Sequence, residues 1–438
     1  MKSARLQEVV QYLFNSGWML GEKVLMLAVG LVATVVLARY LGPEDFGYLN
    51  YALALVGLLT ILCHLGLTGL VVKELRVNPD QEDRILSSVF VLKVAASIVA
   101  YGVLLATYFI SEERNFLVLV LIGLVLFFTP FELLIDWFQS RVKAKYAAVA
   151  GIVGQLGGNG LKIVLAVAGL GLTSIALAHV AIVMLTSILL VCYALRLKGS
   201  LRFDFSWSLS KRLLGKSCLI FLGSLSAVIY LKIDQIMLQY MLGDYAVGQY
   251  AAASRLSEAW YILPTILMAS LFPKMIDLNK GDPSAYSKFM QTTLDVLFIC
   301  ALCLSVVVFF LADEIVLFLY GSDYSMAARV LAIHIFASVF VFMRALFSKW
   351  IIIEEVFLFS LITQGLGALS NILLNYFFIH RYGVVGAAMA TLISYSIAGY
   401  FSLLLSRRTR VVFGMMTRSI CLSALISVPN MIRTLRRG

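Results

Sequence analysis

Twelve charged side chains interrupt stretches that are otherwise apolar. Six are basic, Lys23, Lys93, Lys162, Lys232, Arg255 and Arg344, and six are acidic, Glu22, Glu132, Asp136, Asp234, Glu258 and Asp295. An ionised side chain in hydrocarbon costs on the order of 3 kcal/mol even on lenient insertion scales. Such groups must therefore pair, reach an interface or line a water-filled cavity. Depth along a helix sorts them. Arg255 lies roughly 10 Å, and Glu258 roughly 15 Å, from the outer end of their stretch. They are three apart, so they share a helix face and can pair. Lys232 and Asp234 lie about 12–15 Å in, and Lys93 about 14 Å in, near a midplane. Glu132 and Asp136 sit near an inner end, where snorkelling is cheap, and Asp295 and Arg344 also lie toward that side. Lys162 lies on the outer half of its stretch, and Glu22 and Lys23 are adjacent on the first. For each group the alternative is a structural pair or an interface anchor, most of all for Glu132, Asp136, Asp295, Lys162 and Arg344. The functional reading is a cavity lined by Lys23, Lys93, Lys232, Arg255 and Arg344, which suits a phosphate or pyrophosphate. Glu22, Asp234, Glu258 and Asp295 would tune those charges or bind a coupling cation.

Other chemistries find little support. Gly154-Gln-Leu-Gly-Gly-Asn-Gly160 lacks the Lys-Ser/Thr of a phosphate-binding loop and lies in an apolar stretch. Its glycines read as close helix approaches. Cys300 and Cys303 form a lone C-x-x-C on an apolar helix, and His64, His179, His334 and His380 show no ligand spacing. No metal and no cofactor is expected. No loop is large enough for a catalytic domain, so the chain is not expected to be an enzyme.

The elements that hold these charges are membrane spans. Of the 438 residues 61% are hydrophobic and 13% charged, where a soluble domain carries about 25% charged residues. Mean hydropathy is +0.94. Apolar runs fall at 17–40, 48–72, 84–110, 115–140, 147–169, 172–195, 216–242, 248–273, 288–312, 326–353, 357–379 and 383–405, each long enough to cross a bilayer. The expected fold is all-α and integral to the membrane, with about twelve spans. A further stretch, 411–428, reads as an interfacial helix, with a thirteenth span as the alternative. The first apolar stretch has no cleavage site after it, so no removable signal peptide is expected.

Net charge is +11, and its distribution orients the chain. Alternate loops hold 21 Lys and Arg, with four more in the tail, while the opposite loops hold only Arg39, Arg114, Arg329 and Arg381. Positive loops stay cytoplasmic, so both termini are expected inside, and the basic balance does not imply nucleic acid. Tyr40, Tyr48, Tyr51, Tyr245 and Tyr250 sit at span ends and read as an interface belt. Pro130, Pro264 and Pro273 are expected to kink their spans.

The chain repeats itself. Leu41-Gly42-Pro-Glu-Asp-Phe-Gly47 and Leu242-Gly243-Asp-Tyr-Ala-Val-Gly248 are 201 residues apart, with glycines five apart in each. Weaker matches pair 155–161 with 364–370 and 171–176 with 383–388. This organises the chain as an N-lobe (1–195), a basic cytoplasmic linker (196–215), a C-lobe (216–405) and a basic tail (406–438). Two six-span lobes of like orientation form a parallel repeat.

Several segments resemble the polysaccharide, or Wzx-type O-antigen, flippases of the multidrug/oligosaccharidyl-lipid/polysaccharide exporter superfamily. They are Ala38-Arg39-Tyr40-Leu41-Gly42-Pro43-Glu44-Asp45-Phe46-Gly47, Lys232-Ile-Asp234-Gln-Ile-Met-Leu238 with Gly243, Gly248-Gln-Tyr250-Ala, Phe272-Pro273, and Tyr382-Gly383-Val-Val-Gly386-Ala387-Ala. The resemblance spans about residues 10–405. It makes Arg39, Gly42, Gly47, Gly248, Pro273 and Asp234 family positions. It implies a substrate, undecaprenyl-pyrophosphate-linked oligosaccharide, turned from the cytoplasmic to the outer leaflet by alternating access driven by an ion gradient or the membrane potential. It further implies a monomer in a bacterial inner membrane, working beside a polysaccharide polymerase and a chain-length regulator. Two other readings stand beside it. One is a multidrug or organic-cation exporter of the same superfamily, against which six intramembrane cations count. The other is a membrane enzyme, against which the short outer loops count.

Overall fold

The computed structural model describes residues 2–107, 115–200 and 202–421, except for the side chains of 2–20 and 22–24. Every regular element among the described residues is helical. A lipid environment demands this, because only a helix or a closed barrel satisfies the backbone internally. Contacts divide the chain into two compact units, Met1–Val228 and Ile229–Gly438. Among the described residues ten helices are long and apolar enough to cross a membrane, or eleven if the pair Ser322–His334 and Ala337–Ile353, bent by 45°, is one span.

The first unit contains α1 (Lys2–His64), α2 (Thr68–Val77), α3 (Glu82–Ala106), α4 (Phe116–Gly123), α5 (Leu133–Ser140), α6 (Ala144–Val167), α7 (Gly171–Lys198) and the start of α8 (Trp207–Leu242). The apolar part of α1 continues into α2 as one candidate span, Leu25–Val77, of 53 residues. At 1.5 Å per residue that is roughly 80 Å, far beyond a hydrocarbon core of about 30 Å. A break lies within it: Gly42 adopts φ 72°, ψ 172°, a region that in practice only glycine occupies. The span containing Pro130 is interrupted too. Between α4 and α5 it tightens into 3₁₀ turns at Leu124–Phe127 and Thr129–Glu132, with Pro130 opening the second. The core of this unit gathers Leu67, Val71, Val89, Leu133, Trp137, Phe138, Leu190 and Leu213.

The second unit contains the end of α8 and then α9 (Asp244–Glu258), α10 (Ile262–Gly281), α11 (Pro283–Phe310), α12 (Ala312–Tyr320), α13 (Ser325–His334), α14 (Ala337–Ile353), α15 (Phe357–Tyr382), α16 (Val384–Gly399) and α17 (Arg410–Ile420). The expected kink at Pro264 falls just upstream of it, at the 3₁₀ turn Ala259–Tyr261 between α9 and α10, while Pro273 lies inside α10. The repeat is visible in the backbone. Gly243, the counterpart of Gly42, has φ 82°, ψ −176°, within about 12° of Gly42 in both angles.

Small residues let paired helices close in. A Cβ on Gly158 would meet Ile182 Cγ1 at 1.6 Å, between α6 and α7, and one on Gly367 would meet Ala398 Cβ at 2.8 Å, between α15 and α16. The first is the close approach expected of the glycine run at 154–160, and the second falls in its weak repeat match, 364–370. Three of the tyrosines expected in the interface belt are instead core residues: Tyr48, Tyr51 and Tyr250 are 1%, 0% and 2% exposed. Tyr40 and Tyr245 are exposed. Position near the end of an apolar run cannot distinguish a tyrosine facing lipid from one facing a neighbouring helix.

Candidate functional site

In the first unit Lys93 of α3 is fully buried. Its electrostatic partners are Asp136 on α5 and Glu132 in the 3₁₀ turn before it, with Cys63 also in range. Asp136 is buried, and Glu132 Oε2 lies 3.6 Å from His64 Nε2. Ser97 and Thr129 hydroxyls, 3.4 Å apart, complete the polar group. The positions are built by spacing: Glu132 and Asp136 are one turn apart, so both face α3. Both carboxylates act electrostatically on the Lys93 ammonium from within its own unit, although among the described residues it makes no ion pair within 4.0 Å. On the outer half of α6, Lys162 Nζ lies 2.9 Å from His179 Nδ1 on α7.

In the second unit the centre is Asp234 of α8, 2% exposed. Its Oδ2 accepts from the Tyr250 hydroxyl of α9 at 2.6 Å and lies 2.8 Å from Thr391 Oγ1 of α16. Its Oδ1 accepts from Asn375 Nδ2 of α15. Asn375 Nδ2 also reaches Asn371 Oδ1, one turn earlier, at 3.1 Å. Thr391 Oγ1 lies 3.0 Å from its own helix at Ala387 O, so its single proton serves one of two acceptors. Nearby, His334 Nδ1 lies 2.5 Å from Ser257 Oγ, and its ring stands edge-on to Tyr250 at 5.7 Å.

Among the described residues Asp234 makes no ion pair. Lys232 is two residues away, and residues at that spacing do not share a helix face. An ionised carboxylate taken out of water costs several kcal/mol unless compensated. Neutral donors supply part of the compensation. Two hydroxyls and one amide N–H reach the carboxylate from α9, α16 and α15, and Asn375 Oδ1 has no partner among the described residues. Oxygen ligands suit hard cations.

A family profile described as "Polysaccharide biosynthesis protein" matches residues 13–279. The chain belongs to that family. A second profile, described as "Lipid II flippase MurJ", matches residues 249–434 of this polysaccharide biosynthesis protein. Among curated relatives, the succinoglycan biosynthesis transport protein ExoT of Rhizobium meliloti (strain 1021) is 24% identical over 73% of the chain, and the match spans 64% of ExoT's length. The probable low-salt glycan biosynthesis flippase Agl15 of Haloferax volcanii is 23% identical over 82% of the chain and 76% of its own length. Among solved structures, lipid II flippase MurJ in an inward closed conformation superposes with a TM-score of 0.72 at 17% identity, covering 93% of this chain and 92% of that one. An inward-facing multidrug resistance transporter of the MATE family, in the MOP superfamily, gives 0.66 at 16% identity, over 88% and 95%. These likenesses establish the fold, and with the family profile they bear out the resemblance to the polysaccharide flippases of that exporter superfamily.

Within this polysaccharide biosynthesis protein, the residues picked out by sequence scatter. Arg344 of α14 is spent as a bolt, its Nη1 donating to Ala398 O at 2.7 Å and its Nη2 to Thr363 Oγ1 at 3.3 Å. Asp295 of α11 holds the tail helix, accepting from Ser419 Oγ at 2.6 Å and Gln291 Nε2 at 2.9 Å. Around that point Val412 and Met416 of α17 enter the core of the second unit. Arg255 and Glu258, three apart on α9, form no ion pair with each other among the described residues. Arg255 is exposed, and Lys232 and Glu258 are half-buried. Glu258 interacts electrostatically with Tyr250, Tyr261 and His334. The side chains of Glu22 and Lys23 lie outside the described residues. Arg39 and Pro273 are exposed, and Gly47 and Gly248 are buried. Sequence reasoning singled out Asp234 and Lys93 but not Asn371, Asn375, Thr391 or His334, which stand beside or near Asp234. The readable signal was two asparagines one turn apart in the otherwise apolar α15.

Proposed function

We propose that this protein is a flippase for undecaprenyl-pyrophosphate-linked oligosaccharide, carrying it from the cytoplasmic to the outer leaflet of a bacterial inner membrane. Transport proceeds by alternating access and is coupled to a monovalent cation that binds at Asp234. The observation that carries this reading is a buried carboxylate with no ion pair among the described residues, held by neutral hydrogen-bond donors, in a helical member of a polysaccharide biosynthesis family. Such a group responds to a cation because occupancy removes its desolvation cost. Membership of the family and likeness to glycan transporters support the substrate class. Lys232 and Arg255 make no ion pair among the described residues, which favours an anionic headgroup over an organic cation. Lys23, with Glu22 beside it, belongs to the same proposed cation set.

We also propose twelve spans with both termini in the cytoplasm. Dividing the 53-residue stretch at Gly42 adds one span to the eleven, and the alternation of basic loops supports the orientation. The lobes are 1–195 and 216–405, joined by the basic segment 196–215 and followed by the tail 406–438, and the matched backbones of Gly42 and Gly243 support their kinship. The protein works as a monomer and without cofactor, next to a polymerase and a chain-length regulator.

The test is complementation of a flippase-null strain. The wild-type chain restores surface polysaccharide, whereas Asp234→Ala inserts normally but leaves lipid-linked repeat units accumulating inside. Full restoration by Asp234→Ala would remove the coupling role, and failure of the wild type with every lipid-linked glycan supplied would remove the substrate class.

A further inference from the structure

The segment between α7 and α8 is strapped down along α3. Gly199, at φ 83°, closes α7, and residues 202–206 form no regular element before α8 begins at Trp207. The Asp204 N–H donates to Ser87 Oγ at 3.0 Å, and the Ser206 N–H donates to Ser88 Oγ at 3.0 Å. The Ser87 hydroxyl in turn lies 3.3 Å from Arg202 O, and Arg84 Nε pairs with Asp204 Oδ2 at 3.0 Å. Three large aromatic residues alternate with the pinned ones. These are Phe203, Phe205 and Trp207, exposed by 74%, 39% and 57%. The Lys211 ammonium lies 5.5 Å from the centre of the Trp207 ring. Aromatic rings beside basic residues are the composition of a membrane–water interface.

Behind the strap is a cavity of about 240 Å³. It opens where α4 and α5 are separated by the 3₁₀ turn at Pro130. Its wall is apolar, with Leu86, Phe90, Phe131, Leu134 and Val191, and its polar rim holds Asp83 and Arg202. The rim's other charges are matched. Lys198 pairs with Asp83 and, at 2.7 Å, with Glu82, and Arg84 is taken by Asp204. Arg202 alone makes no ion pair among the described residues. An apolar cavity thus ends at one uncompensated guanidinium, in an aromatic band.

We infer that this groove holds an acyl chain of an anionic phospholipid, with the lipid phosphate on Arg202. Guanidinium and phosphate match as a charge-assisted, two-pronged pair. One free cation balances the single charge of a phosphodiester, whereas a pyrophosphate linkage would bring more charge than the rim can meet. The site lies on the side of the basic loops and within the first unit, and it stands whether or not the transport reading holds.

Native mass spectrometry of the purified full chain tests it, with phosphatidylglycerol and phosphatidylcholine of identical acyl chains offered in equal amounts. The wild type should retain phosphatidylglycerol over phosphatidylcholine by about tenfold, as expected for one charge-assisted contact. Arg202→Gln, an exposed substitution expected to leave the fold intact, should abolish the preference, and Arg202→Lys should keep part of it. Val191→Trp should lower retention of both lipids by filling the cavity. Equal retention of the two lipids by the wild type, or an unchanged preference in Arg202→Gln, overturns the inference. So does displacement of phosphatidylglycerol by equimolar undecaprenyl pyrophosphate, which would assign the groove to the transport substrate.

Discussion

Replacing Asp234 by Asn separates the charge of the buried site from its shape. In the wild type three neutral donors converge on one carboxylate, and hydrogen bonds to a charged group contribute about 1.5–3 kcal/mol each. Burial of the ion opposes this by several kcal/mol. The two nearly cancel, so a bound cation can tip the site. Asp234→Asn removes the charge and turns one acceptor into a donor, which costs about 1–3 kcal/mol for the group left unsatisfied and returns the desolvation of the ion. Stability without sodium should therefore change by no more than about 2 kcal/mol. The response to sodium should vanish. A ligand at a hundred times its dissociation constant stabilises the native state by about 2.7 kcal/mol, and at roughly 2 °C per kcal/mol for a large chain the wild-type Tm should rise by about 5 °C. The assay is thermal unfolding of the detergent-purified protein in sodium chloride against choline chloride at constant ionic strength. A wild type indifferent to sodium would refute the cation-site reasoning, and so would an Asp234→Asn variant that keeps the wild-type shift.

Three further perturbations probe the scaffold. Gly158→Ala drives a methyl into Ile182 and should destabilise by about 1–3 kcal/mol, and Ile182→Ala should recover part of that loss in a double-mutant cycle of thermal midpoints. Lys93→Met leaves Asp136 and Glu132 without their cation and should cost about 3–5 kcal/mol. Adding Asp136→Asn should restore much of that, as measured by chemical denaturation, and a cation serving substrate alone would show no such rescue. Asp295→Ala cuts the hydrogen bond to Ser419, so limited proteolysis within 410–421 should accelerate several-fold while the rest of the second unit stays protected.

Spans, repeats and many charges were readable because each depends on local composition or period. Apolar runs of about 20 residues must become helices in lipid. The 201-residue offset predicted two related turns, and Gly42 and Gly243 adopt nearly the same backbone. The glycine runs announced close helix contacts, and Gly158 makes one. Arg344 and Asp295 show where such reading ends. Both look like Lys93 and Asp234 in one dimension, charges inside apolar helices. In space Arg344 meets a carbonyl and a threonine, and Asp295 meets the tail helix.

The twelve charges within apolar stretches thus take their meaning from two different sources. The amino-acid sequence by itself determined that they lie in spans and cannot all face hydrocarbon, since that follows from composition and transfer cost alone. Which of them are paired was decided only by the tertiary structure. Lys93 meets acids from two other elements, whereas Asp234 meets hydroxyls and amides from α9, α15 and α16. The physical reason is that a side chain's electrostatic partners come from neighbouring helices. Helix neighbours are set by packing between residues more than a hundred positions apart, as in Asp234 and Asn375, and no periodicity within one segment records them.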